Sequence, residues 1–256
     1  MTTTLRSRSF TVQKSGNAES ENEDALEVSD DLGRYVVADG STEGTYSRAW
    51  AIQLVKQYSE NPLVGESVQS RRDWLPRFES PSDAAKEGEE APERPWYIDR
   101  GRERGSYATL LGVNFQLPSA EDEALAWEAV AVGDSCLFVI EGGKLLESFP
   151  LRAGYDFHDA PQLLSTISAA NDLVWPKFVG TRGVLRVGGL LLLATDALAA
   201  WVFEQAASDW SAIERVIGLA DQGGFRDFVD LERDSHRMKN DDCSLVIVEA
   251  LLHSRS

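Results

Sequence analysis

Acidic residues follow or precede several apolar segments of this sequence. The clearest example is the run 35–38, which leads to Asp39 and stops at Gly40. Tyrosine and valine favour a strand, and glycine permits a sharp turn that leaves the carboxylate at the strand end. A single Asp-Gly pair is also an ordinary turn signal. Because the arrangement recurs along the chain, it predicts a shared acidic site for hard cations, which prefer oxygen ligands.

Four further acidic positions adjoin predicted strands: Glu23-Asp24, Asp134, Asp196 and Asp241-Asp242. Most of them also have a plain structural interpretation, as a solvated loop, a turn or a charged strand entry. Asp196 is the hardest to explain in this way, because it lies between the apolar segments 190–193 and 198–201. A buried carboxylate there is costly unless it caps the following helix or binds a cation, and both roles stay open.

The predicted elements place these acids on one framework. Strands are predicted at 9–15, 25–28, 35–38, 107–115, 126–132, 137–141, 144–148, 183–187, 190–194 and 244–248, and helices at 45–58, about 161–169, 197–207, 209–221 and 224–235. Hairpins are expected between 25–28 and 35–38, across 141–144, and between 183–187 and 190–194. Hairpin connections around a helical block favour an α+β fold of mostly antiparallel sheets covered by helices.

Residues 59–104 are the least regular part of the chain. Five prolines and a charge-dense stretch at 86–90 interrupt them, although several tryptophan, leucine and phenylalanine residues argue against a pure linker. We expect one or two helices broken by a mobile loop near 80–94. No second domain or internal repeat is indicated, so residues 1–256 are predicted to form a single domain with a partly helical insertion.

Composition excludes several functional classes. The chain of 256 residues has a formal net charge of −17, from 42 acidic and 25 basic residues. Nucleic-acid partners are not expected, because phosphate contacts need clustered lysine and arginine. The two cysteines, Cys136 and Cys243, are predicted to be buried thiols rather than a disulfide or a zinc site. His158, His236 and His253 lie outside the acidic segments and are interpreted as surface or core residues.

The longest apolar run, residues 187–203, is not predicted to span a membrane. It is short for a bilayer and carries Asp196 near its middle. It is better explained as a buried strand, an acid and the start of a helix. The first residues lack the apolar core of a signal peptide, and we expect a cytoplasmic protein.

The order of the short motifs resembles the metal-dependent serine/threonine protein phosphatases (type 2C, or PPM) in their bacterial form. The motifs are Asn22-Glu23-Asp24-Ala25, Val37-Ala38-Asp39-Gly40, Gly105-Ser106-Tyr107-Ala108-Thr109, Val132-Gly133-Asp134-Ser135, Ala194-Thr195-Asp196 and Asp241-Asp242-Cys243-Ser244. The resemblance covers about residues 10–249. It implies a four-layer α/β/β/α sandwich of two mostly antiparallel sheets flanked by helices.

The resemblance also implies a site with two Mn²⁺ or Mg²⁺ ions. Asp39 would bridge them, with Glu23 and the Gly40 carbonyl on one ion, and Asp196 and Asp241 on the other. Asp39, Asp196 and Asp241 are thus the implied catalytic residues. A water shared by the ions would attack a phosphomonoester directly, without a covalent enzyme intermediate.

Two further acids have lesser roles in this scheme. Asp24 would support the ligands from behind, and Asp134 would bind a third ion weakly.

Several positions depart from the family pattern. Where relatives carry an arginine that binds substrate phosphate, this chain has Glu19, which leaves Lys14 and Arg48 as weak substitutes. Ser41 stands where many relatives have a histidine suited to general-acid catalysis. An acid used at an additional metal site is replaced by Ala200, and the usual glycine after Asp196 is Ala197. Residues 150–182 are also short where relatives often carry a flap.

Three functions are compatible with these residues. The leading hypothesis is a phosphatase that acts on phosphoserine or phosphothreonine in proteins. The second is a non-catalytic phosphatase-like module that binds a partner, suggested by Glu19, Ala197 and Ala200. The third and weaker one is hydrolysis of a small phosphorylated metabolite. Nothing in the sequence predicts the oligomeric state.

Overall fold

The computed structural model describes residues 2–42, 44–63, 67–79, 105–117, 124–157 and 161–253. Twelve strands occur in these residues: β1 (Thr2–Val12), β2 (Ala25–Ser29), β3 (Arg34–Ala38), β4 (Tyr107–Ala108), β5 (Leu110–Phe115), β6 (Ala124–Val132), β7 (Cys136–Glu141), β8 (Lys144–Phe149), β9 (Leu164–Ser165), β10 (Val179–Arg186), β11 (Leu190–Ala194) and β12 (Cys243–His253). The α-helices there are α1 (Ser47–Glu60), α2 (Val68–Trp74), α3 (Asp196–Ser208), α4 (Trp210–Ile217) and α5 (Gln222–Asp234).

Ten of these strands form two antiparallel five-stranded sheets. The first sheet has the order β1-β12-β11-β7-β8, and the second has the order β10-β6-β5-β3-β2. β4 and β9 form a separate pair. The predicted hairpin of β2 and β3 is confirmed, with Ala25 opposite Ala38, and so is that of β7 and β8.

Three apolar clusters hold the layers together. In β11, Leu191 and Leu193 face the second sheet, whereas Leu192 and Ala194 face the helices α3–α5. The outer face of the second sheet packs against α1, whose Trp50 is fully buried. This period-two alternation gives four layers, helices–sheet–sheet–helices, which confirms the predicted α+β sandwich.

The predicted hairpin between 183–187 and 190–194 is wrong. β10 pairs with β6 in the second sheet, with Gly183 opposite Trp127, whereas β11 pairs with β7 and β12 in the first. β11 is apolar along its length and is covered on both faces, as a central strand requires. β10 has an exposed face and lies at a sheet edge. The turn at Gly188-Gly189 therefore carries the chain from one sheet to the other.

The helix predicted at about 161–169 is also wrong. Residues Leu164–Ser165 form β9, and a 3₁₀ helix begins only at Ser168. The side chain of Asn171 accepts a hydrogen bond from the Ser165 amide and donates one to its carbonyl, both at 2.8 Å. These bonds hold the backbone of Ser165 extended, so that it pairs with Tyr107 instead of turning into a helix.

The remaining predictions are confirmed in most of their extent. The single strand expected at 107–115 is divided at Thr109 into β4 and β5, and the first strand runs over Thr2–Val12 instead of 9–15. α2 is one of the helices expected in 59–104, but the loop expected near 80–94 lies outside the described residues. Both cysteines are free and buried. Among the residues described, no helix has the length and apolar character to cross a membrane.

Candidate metal centre

Asp39 lies directly after β3, where the backbone is fixed on both sides. Its amide donates to the Thr109 hydroxyl at 2.9 Å, and its carbonyl accepts from the Thr109 amide at 2.8 Å. At Gly40 a Cβ atom would lie 2.8 Å from the Glu23 carbonyl oxygen and 2.9 Å from the Ser47 carbonyl carbon. Glycine is therefore required there, because no side chain fits between these backbone atoms.

The loop before β2 carries Glu23 and Asp24. The Glu23 amide donates to a carboxylate oxygen of Asp242 at 2.7 Å, and the Lys14 amide donates to the other, also at 2.7 Å. Asp24 is buried and accepts a hydrogen bond from the Thr195 hydroxyl at 2.9 Å. Asp24 thus joins the loop of the second sheet to the end of β11 in the first.

Asp196 and Asp241 come from the first sheet. Asp196 is the first residue of α3, and its Oδ1 accepts from the Ala197 amide at 2.6 Å, as an acid in the first helical turn does. Asp241 precedes β12, and the buried Arg233 donates to its carbonyl. The sequence left helix capping and ligation open for Asp196. The N-cap residue of α3 is Thr195, whose side chain makes no capping bond, and Asp196 uses only one oxygen for its bond with the Ala197 amide.

Two adjoining cavities of about 470 Å³ each bring the predicted site residues together. One is lined by Glu23, Asp39, Gly40, Asp196 and Asp241. The other shares Asp39 and Asp196 and adds Asp134 and Ala200. We call these two cavities the acid cleft. Asp24 does not line it, and lies behind it.

The charge of the acid cleft raises the pKa of its carboxyl groups. Burial is the main cause of the pKa of Asp39 lying well above its usual range, and the charges of Asp24, Asp196, Asp134 and Asp241 add to it. Burial likewise raises the pKa of Asp24 and of Asp196. Charges act on one another in this way only when they lie close together, so the five aspartates form one electrostatic cluster.

Glu23 and Asp134 lie at the margins of this cluster. Partial burial raises the pKa of Glu23, and a hydrogen bond from Thr42 opposes that rise. Burial, with the charge of Asp196, raises the pKa of Asp134 to about 6. The charge of Asp196 therefore acts on Asp134, which lines the same cavity.

Among the residues that the structure describes, Lys239 is the cation closest to these acids. Its Nζ lies 2.7 Å from Asp241 Oδ2 and 3.3 Å from Asp196 Oδ2. Partial burial works against the charged form of Lys239, but the hydrogen bond to Asp241 and the neighbouring carboxylates raise its pKa overall. Nothing in the sequence singled out this lysine. A lysine two residues before Asp241 could have been suspected only from its proximity along the chain.

The donor chemistry of the acid cleft fits hard divalent cations. All its predicted ligands are carboxylate or carbonyl oxygens, and the buried Oδ1 atoms of Asp24 and Asp134 have no hydrogen-bond partner among the described residues. Within the described ranges, however, no three histidine, cysteine or acidic side chains already stand close enough to hold a metal ion. The ammonium of Lys239 lies between two of the predicted ligands instead.

The positions that depart from the family pattern have clear surroundings. Glu19 is exposed on a short 3₁₀ turn. Arg48 donates to the carbonyls of Glu19 and Asn22 and lies outside the acid cleft, whereas Lys14 Nζ is 3.8 Å from Asp241 Oδ1. Ser41 lines the cleft. Lys14 is thus the better placed of the two suggested cations.

Asp242 positions a predicted ligand, a role that the sequence did not indicate. Its carboxylate binds two backbone amides, including that of Glu23, and so places this ligand beside Asp241. The Asp-Asp pair was visible, but only the fold shows which of the two points into the loop. Of the histidines, His236 is exposed, in agreement with its surface interpretation, and His158 lies outside the described residues.

No protein-family model matches this chain, and no curated protein matches it in sequence. Solved structures do match it over its whole length. They include the catalytic domain of the serine/threonine protein phosphatase PstP in complex with two manganese ions (14% identity, 98% of this chain and 100% of that chain, TM-score 0.58). The PPM Ser-Thr phosphatase MsPP from Mycobacterium smegmatis, in complex with cacodylate, is 17% identical (96% and 98% covered, TM-score 0.55).

A third match is the photosystem II phosphatase PBCP, which is 15% identical over 98% of this chain and 100% of that chain, with a TM-score of 0.60. The identities are low, but each structure is covered almost completely by the same two-sheet sandwich. The order of the six acidic and glycine-containing motifs resembled this family, and the architecture agrees with it. The chain has the fold of the PPM-type serine/threonine phosphatases.

Proposed function

We propose that this protein is a Mn²⁺- or Mg²⁺-dependent phosphomonoester hydrolase that removes phosphate from phosphoserine or phosphothreonine in proteins. The observation that carries the proposal is the convergence of Glu23, Asp39, Asp196 and Asp241 on one cleft from two different sheets. Burial, together with the charges of Asp24, Asp196, Asp134 and Asp241, raises the pKa of Asp39, and bound cations would favour its ionised form.

Each proposed ligand has a place in this scheme. Glu23, Asp39 and the Gly40 carbonyl would hold one ion, and Asp39, Asp196 and Asp241 the other. Bound there, two ions would lower the pKa of a shared water, direct it to the phosphorus atom and offset charge on the phosphoryl oxygens. The chain itself contributes the positioning: Thr109 fixes the backbone of Asp39, and Asp242 fixes that of Glu23.

The similarity of this fold to solved protein phosphatases favours a protein substrate over a small metabolite. PstP and MsPP are named as serine/threonine phosphatases, and they share this architecture. The acid cleft itself offers few means of recognising a small molecule, since its polar groups are mostly carboxylates. Lys14 and the metals would then hold the substrate phosphate in the place of the arginine that Glu19 replaces.

A second candidate function rests on a specific observation. The gap between Asp196 and Asp241 holds an ammonium group, and the described acids do not close around an ion. A phosphatase-like module that binds a partner without catalysis would need only the fold, and no preformed metal site. The two candidates differ in whether the cleft binds two divalent ions.

Phosphatase assays decide between them. Purified protein with p-nitrophenyl phosphate and with a phosphothreonine peptide should release phosphate in millimolar Mn²⁺, and excess chelator should stop the release. Calorimetry with Asp39→Asn should show strongly reduced Mn²⁺ affinity, whereas the matched variant Asp134→Asn should change it little. Inactivity with every divalent metal would favour the binding module, and equal losses in both variants would refute the ligand assignment.

A further inference from the structure

Lys239 makes contacts that an ordinary surface lysine does not. Its ammonium group lies within 3.3 Å of carboxylate oxygens on both Asp196, at the start of α3, and Asp241, which precedes β12. These two side chains are the ones proposed to share one divalent ion. A single positive charge from the chain thus stands between them.

The backbone around Lys239 is held in place on both sides. Arg237 binds the buried carboxylate of Glu232 through two nitrogens, at 2.7 and 2.8 Å. Met238 is only 6% exposed, and the Asp241 amide donates to the Lys239 carbonyl at 3.1 Å. Because its neighbours are anchored, this segment directs the lysine side chain into the acid cleft.

No other cation is placed in the same way within the described parts of the chain. Lys14 approaches Asp241 alone, at 3.8 Å, and Arg48 is occupied by backbone carbonyls. Among the described residues, Lys239 is the cation that lies within 4 Å of a carboxylate oxygen on both acids. It is therefore the principal counter-charge for this pair of acids.

We propose that Lys239 is a built-in counter-cation that keeps Asp196 and Asp241 together in the metal-free protein and that a divalent ion must displace to bind there. This inference rests on the proposed metal centre. An ammonium group carries one charge, whereas a divalent ion carries two and can be held by both carboxylates directly. The lysine stem is flexible, and its side chain is 65% exposed, so the ammonium can leave toward solvent. Lys239 thus lowers metal affinity and stabilises the empty site.

The test compares Lys239→Met with the wild-type protein by Mn²⁺ titration calorimetry. Methionine keeps the length and the apolar stem but removes the charge. Loss of one partly exposed ion-pair cluster is expected to tighten Mn²⁺ binding about five- to tenfold. Lys239→Arg keeps the charge and should bind Mn²⁺ nearly as the wild type does. Lys56→Met, at an exposed lysine paired only with Glu60, should have no effect.

Thermal unfolding in excess chelator gives a second readout that does not depend on metal. Without its counter-charge, Lys239→Met should melt about 2–4 °C below the wild type, while Lys56→Met should not change. In saturating Mn²⁺ the difference should disappear, because tighter metal binding by the variant offsets the contribution that Lys239 makes to the metal-free protein. Tighter Mn²⁺ binding together with a lower melting temperature in chelator would support the proposal.

The failures of the two proposals can be told apart. If the wild type and Lys239→Met bind Mn²⁺ equally, or melt equally in chelator, the role of Lys239 is overturned and the metal centre stands. If neither protein binds Mn²⁺ at all, the metal centre is overturned, and displacement of the lysine with it.

Discussion

This fold buries carboxylates in two places and treats them in opposite ways. Glu232 on α5 is 1% exposed, accepts a hydrogen bond from Trp201 Nε1 at 2.9 Å and is bound by Arg237. The hydrogen bond from Arg237 is the main cause of its lowered pKa, although burial opposes it. In the acid cleft, by contrast, burial and repulsion raise the pKa of Asp39.

The difference separates a structural acid from a functional one. The charge of Glu232 is compensated by Arg237 and Trp201, so this buried acid needs no ligand. The aspartates of the cleft are satisfied only in part, with Lys239 as their nearest cation. A fold keeps such an arrangement at a cost in stability, which a bound ion would offset. Four predictions break or sharpen this comparison.

The largest effect is expected for Asp39→Asn in the activity assay. Loss of the bridging carboxylate should lower phosphate release in Mn²⁺ by more than about 100-fold, because even residues that only support metal ligands cost about 10–100-fold. In chelator the same variant should be at least as stable as the wild type, since a repelled charge is removed. Lower stability in chelator would contradict the electrostatic account.

Glu232→Gln should do the reverse. Removing the charge leaves Arg237 without its partner and should lower the free energy of unfolding by about 2–4 kcal/mol, as measured by urea denaturation. Phosphatase activity per folded molecule should fall far less than in Asp39→Asn, because Glu232 is not a proposed metal ligand. The control is Glu214→Gln, at an exposed acid of α4, for which a change within about 0.5 kcal/mol is expected.

The stability of the metal-free protein should depend on pH through Asp134. Its pKa is raised to about 6 in the folded state, so the folded protein binds a proton more tightly than the unfolded chain does. This contribution to stability is present at low pH and is lost as the pH rises through 6, by about 3 kcal/mol in total. Urea denaturation in chelator at pH 4–7 checks it.

Asp134→Asn is the comparison for this measurement. The variant does not titrate, so its advantage in stability over the wild type should grow as the pH increases from 4 to 7. A constant difference across this range would show that Asp134 titrates normally in the folded protein.

Gly40→Ala should have the smallest effect of the four. The new Cβ would lie 2.8 Å from the Glu23 carbonyl oxygen, so the backbone on one side has to shift, at a cost of about 1–3 kcal/mol. Mn²⁺ affinity should fall as well, because Glu23 and Asp39 adjoin the displaced atoms. Gly154→Ala, whose Cβ would meet only Phe203 at 3.6 Å, is the control and should be neutral.

The sequence predicted the layers of this fold better than the connections between them. The apolar runs at 190–194 and 244–248 are local properties of the sequence, and they indicated strands that the structure contains. Which sheet each strand joins is decided by distant partners. The turn at Gly188-Gly189 has the sequence of a hairpin turn. It nevertheless passes between the sheets, because β10 pairs with β6, where Gly183 lies opposite Trp127.

The acids of the candidate site could be predicted from the sequence, but the residues that surround and support them could not. Asp39 and Asp196 are marked by the apolar strands that precede them. Lys239 carries no such mark, and the place of Asp242 beside a strand did not reveal its role, because both roles depend on a bend between α5 and β12 that only the folded chain defines. Counter-charges and backbone supports are chosen by three-dimensional proximity, so local patterns do not reveal them.

The origin of the acids in both sheets has a mechanical consequence. Glu23 and Asp39 flank strands of one sheet, and Asp196 and Asp241 flank strands of the other. Between these sheets lie mainly apolar side chains, whose attraction is not directional. An ion bound by acids of both sheets would act as a removable cross-link between the sheets at the acid cleft. Binding and release of the ion would then change how strongly the two sheets are held together at this edge.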